Sequence, residues 1–182
     1  MTILKVPVTS GDHAQGSESA EVTLVEYGDY ECPHCGRAYP IVQGIQKHFG
    51  KRLRFVFRNF PLSEMHPHAE GAAEAAEAAG AHGKFWEMHD LLFENQDRLS
   101  EHLYLGLAQE LELPAAEIRK ALEEGTYKAL VRADFTGGVR SGVNGTPTFY
   151  INGHRHDGPF DFKNLVLALD NAIDKAKSAT TL

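Results

Sequence analysis

Cysteine is almost absent from this sequence: 182 residues contain two, Cys32 and Cys35. A disulfide-stapled scaffold needs more of them in a smaller chain, and a structural zinc site normally needs a second Cys or His pair at suitable spacing. No such second pair has a recognised spacing. His66 and His68 flank Pro67, and His154 and His156 fall in a hairpin pattern, so only an irregular composite site stays open. Long apolar runs are also missing. None reaches the ~18 residues of a membrane span, and even Val22 to Tyr27 is broken by Thr23 and Glu26. Cations are few: 18 Lys and Arg against 25 Asp and Glu leave a net charge of −7, the wrong sign for a sheath of phosphate contacts, which excludes nucleic acid as a partner. Met1 to Val8 lacks the apolar core of about 7–15 residues found in a secretory signal, so a cytoplasmic protein is expected, or a periplasmic or extracytoplasmic one if a start Met has replaced a removed signal. There is no internal repeat and no low-complexity linker.

What is present is an ordinary globular composition, 42% hydrophobic and 24% charged, in a length that suits one domain with an insertion. Val22 to Tyr27 reads as a buried strand ending at Gly28-Asp29, with Glu26 its one anomaly. Pro33 then opens a helix in which Tyr39, Val42, Ile45 and Phe49 recur at helical spacing until Gly50. Leu53 to Phe57 reads as a second strand, completing a β-α-β unit. From Pro61 to about Gly142 the pattern is helical. It includes an Ala-rich segment, Ala69 to Ala81, with Glu70, Glu74 and Glu77 along one side, and an apolar stripe of Phe85, Met88, His89, Leu92 and Phe93. Further helices are expected over Leu103 to Leu111, Ala115 to Glu123 and Tyr127 to Val139. Thr148 to Ile151, the turn Asn152-Gly153 and the segment from His154 predict a hairpin, and Asp161 a cap for a last helix containing Leu165, Leu169 and Ile173. The order fits one α/β domain interrupted by a helical lid: an extension over residues 1–20, then a domain over 21–182 with an insertion at about 62–142.

A Cys-x-x-Cys pair in an α/β context reads first as a redox dithiol. Exchange requires an accessible thiolate, and Cys32, at the start of a helix, faces free backbone N–H groups and the positive end of the macrodipole. His34 adds a donor that, when charged, favours the anion, whereas the neighbouring Glu31 and Asp29 oppose it. Cys35, one turn deeper, is expected to be the buried resolving thiol. Glu26 sits six residues before Cys32 in an apolar strand, where an ionised carboxylate is costly, so its pKa is expected to be raised; a strand-edge residue facing solvent is the other reading. Pro147 follows Thr146 ahead of a β-rich run and is equally readable as a cis or an ordinary trans proline.

The run Glu26-Tyr27-Gly28-Asp29-Tyr30-Glu31-Cys32-Pro33-His34-Cys35, the later Gly145-Thr146-Pro147-Thr148, and the helical block between two halves together resemble the DsbA-like thiol:disulfide oxidoreductases of the thioredoxin superfamily. Cys-Pro-His-Cys is the most specific element, and Phe85-Trp86-Glu87-Met88-His89-Asp90 also looks like a segment of that family. The likeness extends from Val22 to about Lys175. It implies a thioredoxin fold, a central mixed sheet flanked by helices, with an all-helical insertion. It further implies that Glu26 relays a proton for Cys35, and that Thr146-Pro147 is a cis-proline loop facing the dithiol and offering Thr146 main-chain bonds to a substrate.

The expected activity is thiol–disulfide exchange with protein or peptide substrates carrying thiols or disulfides. It needs no cofactor and no metal, involves an unknown redox recycling partner, and has a potential between about −270 and −120 mV. Two alternatives stand beside it: a redox-independent peptide-binding or chaperone-like module, and a zinc-binding structural protein. Phe85, Trp86 and Met88 are expected in the core, and His66, His68, His89 and His102 at the surface or as satisfied core residues. Arg52, Arg54 and Arg58 are read as solvated or ion-paired positions without a role.

Overall fold

The computed structural model describes residues 2–180. Five strands form one mixed sheet in the order β1-β3-β2-β4-β5, made of β1 (His13–Gln15), β2 (Val22–Gly28), β3 (Leu53–Asn59), β4 (Thr148–Ile151) and β5 (His154–His156). The helices are α1 (Pro33–Phe49), α2 (Ala69–Gly80), α3 (Phe85–Glu94), α4 (Glu101–Glu110), α5 (Ala115–Glu124), α6 (Lys128–Ser141) and α7 (Phe162–Thr180). The α/β class and the expected order of elements are therefore found: strand, helix and strand, then a run of helices, then a hairpin and a closing helix. The chain divides into two compact units. The first holds the chain up to Tyr27, Arg37–Arg58 and everything from Gly137 onward; the second holds Gly28–Gly36 and Asn59–Thr136.

In the first unit, Val22, Leu24, Val25, Glu26 and Tyr27 are all buried, so β2 is covered on both faces and reads as a near-continuous apolar run. It pairs antiparallel with β4, which sets Glu26 opposite Phe149 and Tyr27 opposite Thr148. The hairpin between β4 and β5 turns at Asn152 and Gly153, whose φ values of 47° and 79° are the left-handed pair that such a tight turn requires. Asp161 caps α7 by accepting the Asn164 N–H at 3.2 Å.

The extension over residues 1–20 is woven into this unit, although its first residue, like residues 181–182 at the other end, lies outside the described residues. Its strand β1 pairs antiparallel with β3, His13 opposite Phe57, and Gly16 then turns at φ 90°, where a Cβ would collide with the Leu53 carbonyl oxygen. Arg58, to which the sequence assigned no role, holds the extension in place. Its side chain is 3% exposed and forms an ion pair with Asp12 at 2.7 Å, while its other nitrogens donate to the Val6 and Pro7 carbonyls and the Tyr27 hydroxyl. Burial opposes the charge of the guanidinium, but the bonds to Asp12 and Tyr27 outweigh it and hold the group protonated.

In the second unit α2 is the central helix, with nine of its twelve residues buried among α3, α4 and α5. Alanine makes this close packing feasible. Glu74 and Glu77 are buried too, so of the acidic side of α2 only Glu70 reaches the surface; Glu77 accepts from the Asn59 side-chain amide at 2.7 Å. Burial, reinforced by Glu70 and opposed by Lys128, pushes the Glu74 carboxyl above its ordinary value.

Removing one partner of a buried ion pair leaves the other uncompensated. Arg58→Ala is therefore expected to lower the unfolding free energy by about 3–5 kcal/mol in urea titrations. A loss under about 1 kcal/mol, the range of an exposed pair, would show that Arg58 does not anchor the extension.

Candidate active site

The chain leaves β2 at Gly28 and enters α1 at Pro33, and both cysteines belong to this turn. Pro33 suits the first helical position because its missing N–H would have no helical partner there. The preceding Cys32 is the capping position: its carbonyl accepts the first helical bond, from Gly36 N–H at 3.0 Å. Cys35 lies one turn further along. Both cysteines are free thiols; Cys32 keeps 4% of its surface and Cys35 none. Cys35 is thus buried, as expected of a resolving thiol. The accessible Cys32 expected from the sequence has only a narrow opening, beside the exposed Pro33 and His34.

Asp29 organises the turn. It is fully buried, and one carboxylate oxygen accepts the N–H groups of Glu31 at 2.8 Å and Cys32 at 3.2 Å. The other oxygen accepts the Leu62 N–H at 2.8 Å and meets Nδ1 of His66 at 2.7 Å. The backbone N–H of Asp29 points at the Cys35 sulfur, 3.4 Å away. A single residue therefore touches both halves of the dithiol turn and the segment from Leu62 to His66. Glu31 fastens the far end of the same segment by accepting the His68 N–H at 2.6 Å, and the Tyr104 hydroxyl donates to the His68 carbonyl at 2.9 Å.

His66, expected at the surface or as a satisfied core residue, lies between the two: its side chain is 16% exposed and its partner is in the dithiol turn. Burial of the ring opposes protonation. The hydrogen bond to Asp29 and the negative charges of Asp29, Cys32 and Glu31 outweigh that, and the imidazole is held above its usual value. His89, a satisfied core residue, bonds the Tyr30 hydroxyl at 3.0 Å within a ring cluster that includes Phe85, Trp86 and Phe93. Of the expected core trio, Phe85 and Met88 are buried and Trp86 half-buried. Gln96 had no sequence signal at all. Its side-chain amide donates to the carbonyls of Tyr30, at 2.8 Å, and Cys32, at 2.9 Å, so it holds the backbone on both sides of Glu31.

Pro33, His34, Cys32 and Cys35 thus share the second unit with Asp29, His66 and Gln96. Glu26, Thr146 and Pro147 belong to the first. Glu26 is buried at 3% exposure, which rules out the solvent-facing reading. The Thr146–Pro147 peptide is cis and leads into β4. Among the described residues no group of three or more His, Cys, Asp and Glu side chains is placed to hold a metal ion. No helix among them is long and apolar enough to cross a membrane.

Residues 8–171 match the family model described as Thioredoxin. Among solved structures, oxidised BdbD from Bacillus subtilis aligns with a TM-score of 0.86 at 25% identity, covering 95% of this chain and 98% of its own. A thioredoxin-like oxidoreductase from Silicibacter pomeroyi aligns at 0.79 with 28% identity, covering 93% and 94%. Among curated sequences, the Na+/H+ antiporter NhaA 1 of Salinispora arenicola is 45% identical over 93% of this chain but only 26% of its own length. The chain thus spans about a quarter of the curated relatives it matches.

Two outcomes follow from the bonds around the turn. Gln96→Ala, which removes two hydrogen bonds to carbonyls, is expected to cost about 1–3 kcal/mol and to speed hydrogen exchange in the dithiol turn, whereas unchanged exchange would mean that Gln96 does not hold it. Because the folded His66 pKa lies above the unfolded one, the stability that the ring contributes is complete below about pH 6.5 and is lost as pH rises through the folded value. The unfolding free-energy gap between the native chain and His66→Gln is expected to shrink over that rise, and a gap constant with pH would contradict the pairing.

Proposed function

The chain belongs to the thioredoxin family, and from that premise we propose that it is a thiol–disulfide oxidoreductase acting on protein or peptide substrates through its Cys32-Pro33-His34-Cys35 dithiol. The observation that supports this most directly is the placing of two thiols across the first turn of α1, Cys32 at the helix cap and Cys35 buried beside the Asp29 N–H.

In the oxidising direction a substrate thiolate attacks the Cys32 sulfur of the Cys32–Cys35 disulfide. The Cys35 sulfur leaves as a thiolate and takes up a proton. A second substrate thiolate then attacks the substrate sulfur of the mixed disulfide, and Cys32 leaves as a thiolate. Two substrate thiols thereby lose two electrons to the dithiol; one of their two protons ends on Cys35 and the other passes to solvent, because Cys32 stays a thiolate. Reduction of a substrate disulfide is the same sequence reversed, and the compartment's redox poise chooses between them. No cofactor is needed. The helix N-terminus stabilises Cys32 as the anion and so makes it the better leaving group. Glu26, buried in β2, is our candidate for exchanging the Cys35 proton. Thr146 and Pro147, just ahead of β4, are our candidates for docking an extended substrate by main-chain bonds. A recycling partner must restore the starting form after each turnover, an electron acceptor reforming the disulfide in the oxidising direction and an electron donor reforming the dithiol in the reducing one.

The reduction potential of the couple tests this reading, measured by equilibrating the protein in glutathione buffers and counting alkylated thiols by mass. A single two-thiol transition between about −270 and −120 mV is expected, together with loss of all turnover in Cys32→Ser. Absence of a two-thiol transition, or a Cys32→Ser protein that keeps its effect on substrates, would overturn it in favour of a binding module.

A further inference from the structure

We propose that His66, bound to the buried Asp29 carboxylate, is a positioning residue that sets the proton affinity of Cys32 and makes the dithiol's reactivity respond to pH near neutrality. The proposal rests on the exchange reading of the same dithiol and adds a regulator to it. The geometry behind it is one carboxylate shared between two elements: one oxygen holds the Cys32 N–H at 3.2 Å and the other holds His66 Nδ1 at 2.7 Å. A carboxylate bonded to the backbone N–H of the nucleophile's own residue disfavours a second negative charge on that residue's sulfur. Protonated His66 cancels that charge, so the pair is neutral and Cys32 ionises readily. When His66 loses its proton, Asp29 stands uncompensated beside Cys32 and the thiolate is disfavoured. By linkage the reverse also holds: formation of the Cys32 thiolate raises the affinity of His66 for its proton, in line with the attraction between the two groups.

The charged surroundings of the ring agree with a single dominant partner. From the dithiol turn it faces Asp29, Glu31 and Cys32. The Glu31 carboxylate is occupied by the His68 N–H, which leaves Asp29 as the acid bonded directly to the imidazole. On the ring's own segment Glu64 and His68 are exposed, and Glu64 lines a cleft of about 500 Å³ with Met65, Glu70 of α2 and Arg132 of α6. His66 itself is 16% exposed, so it can exchange protons with solvent while Asp29, fully buried, cannot easily be screened.

The test is the rate of Cys32 alkylation as a function of pH in the full chain, with the site of first modification located by peptide mass. His66→Gln is expected to slow alkylation about tenfold near pH 6, the effect of a one-unit shift in thiol ionisation. The difference should fade by about pH 9, where the native ring is neutral. His66→Lys, which keeps the positive charge, is expected to restore the rate near pH 6 and to hold it at higher pH. Profiles of native and His66→Gln that superimpose would overturn the proposal, as would a folded His66→Lys that fails to restore the rate. A measurement without any variant guards against loss of folding: the His66 imidazole, followed by NMR, should titrate at higher pH in the reduced protein than in the disulfide form, and identical titrations in the two forms would also overturn it. These readouts report ionisation of Cys32 and not turnover. A protein that behaves as expected here but gives no two-thiol transition in glutathione buffers would sink the exchange reading alone.

Discussion

A buried carboxylate must find donors or lose its charge, and Asp29 finds four. Two lie in the turn that carries the cysteines and two in the segment from Leu62 to His66, so satisfying one side chain joins stretches of chain that are 37 residues apart. The dithiol turn cannot rearrange without stranding at least one of these groups away from water. Gln96 and Tyr30 add to the constraint, the first by taking two carbonyls of the turn and the second by sinking its ring among Phe93 and His89. Thiol exchange depends on such rigidity, because attack on a sulfur requires a fixed line of approach and a fixed set of charges around the leaving thiolate.

Each compact unit is organised around one largely buried charged side chain and its partners. In the first, Arg58 gathers Asp12, two carbonyls and a tyrosine hydroxyl and so fastens the N-terminal stretch to the sheet. In the second, Asp29 plays the corresponding part with the sign reversed. The two differ in what they leave adjustable. The guanidinium stays charged at any ordinary pH, so the Arg58 cluster is a permanent fastening. The partner of Asp29 is a histidine, which changes charge close to neutrality. An element of structure and an element of control therefore coincide at the dithiol, and only there is the fastening able to respond to its surroundings.

Glu26 illustrates a different kind of legibility. Its oddity within an apolar strand was visible in the sequence, but alternation allowed it to face either way. Its burial follows from β2 lying between β3 and β4 with both faces covered. The same holds for two acids of α2: the Ala-rich sequence predicts the helix, yet Glu74 and Glu77 lie inside because the helix is packed on nearly every side. A solvent-facing acidic stripe and a buried one have the same spacing, and only the neighbours distinguish them.

Short spacings encode what could be read before folding. Helical periodicity, the turn at Asn152-Gly153, the cap at Asp161 and the two thiols at the opening of α1 each depend on residues within about four positions of one another, and each is present in the fold. Tertiary structure decided the rest: the sheet order, the placing of β1 at its edge, and the partners of the buried polar groups. Arg58 meets Asp12 across 46 residues, His66 meets Asp29 across 37 and Gln96 reaches Tyr30 across 66. Nothing local marks these side chains, since an arginine, a histidine or a glutamine looks the same in a sequence whether it ends in water or in the core. Their roles arise only when packing removes the water and leaves each buried polar group the few partners that the fold brings within reach.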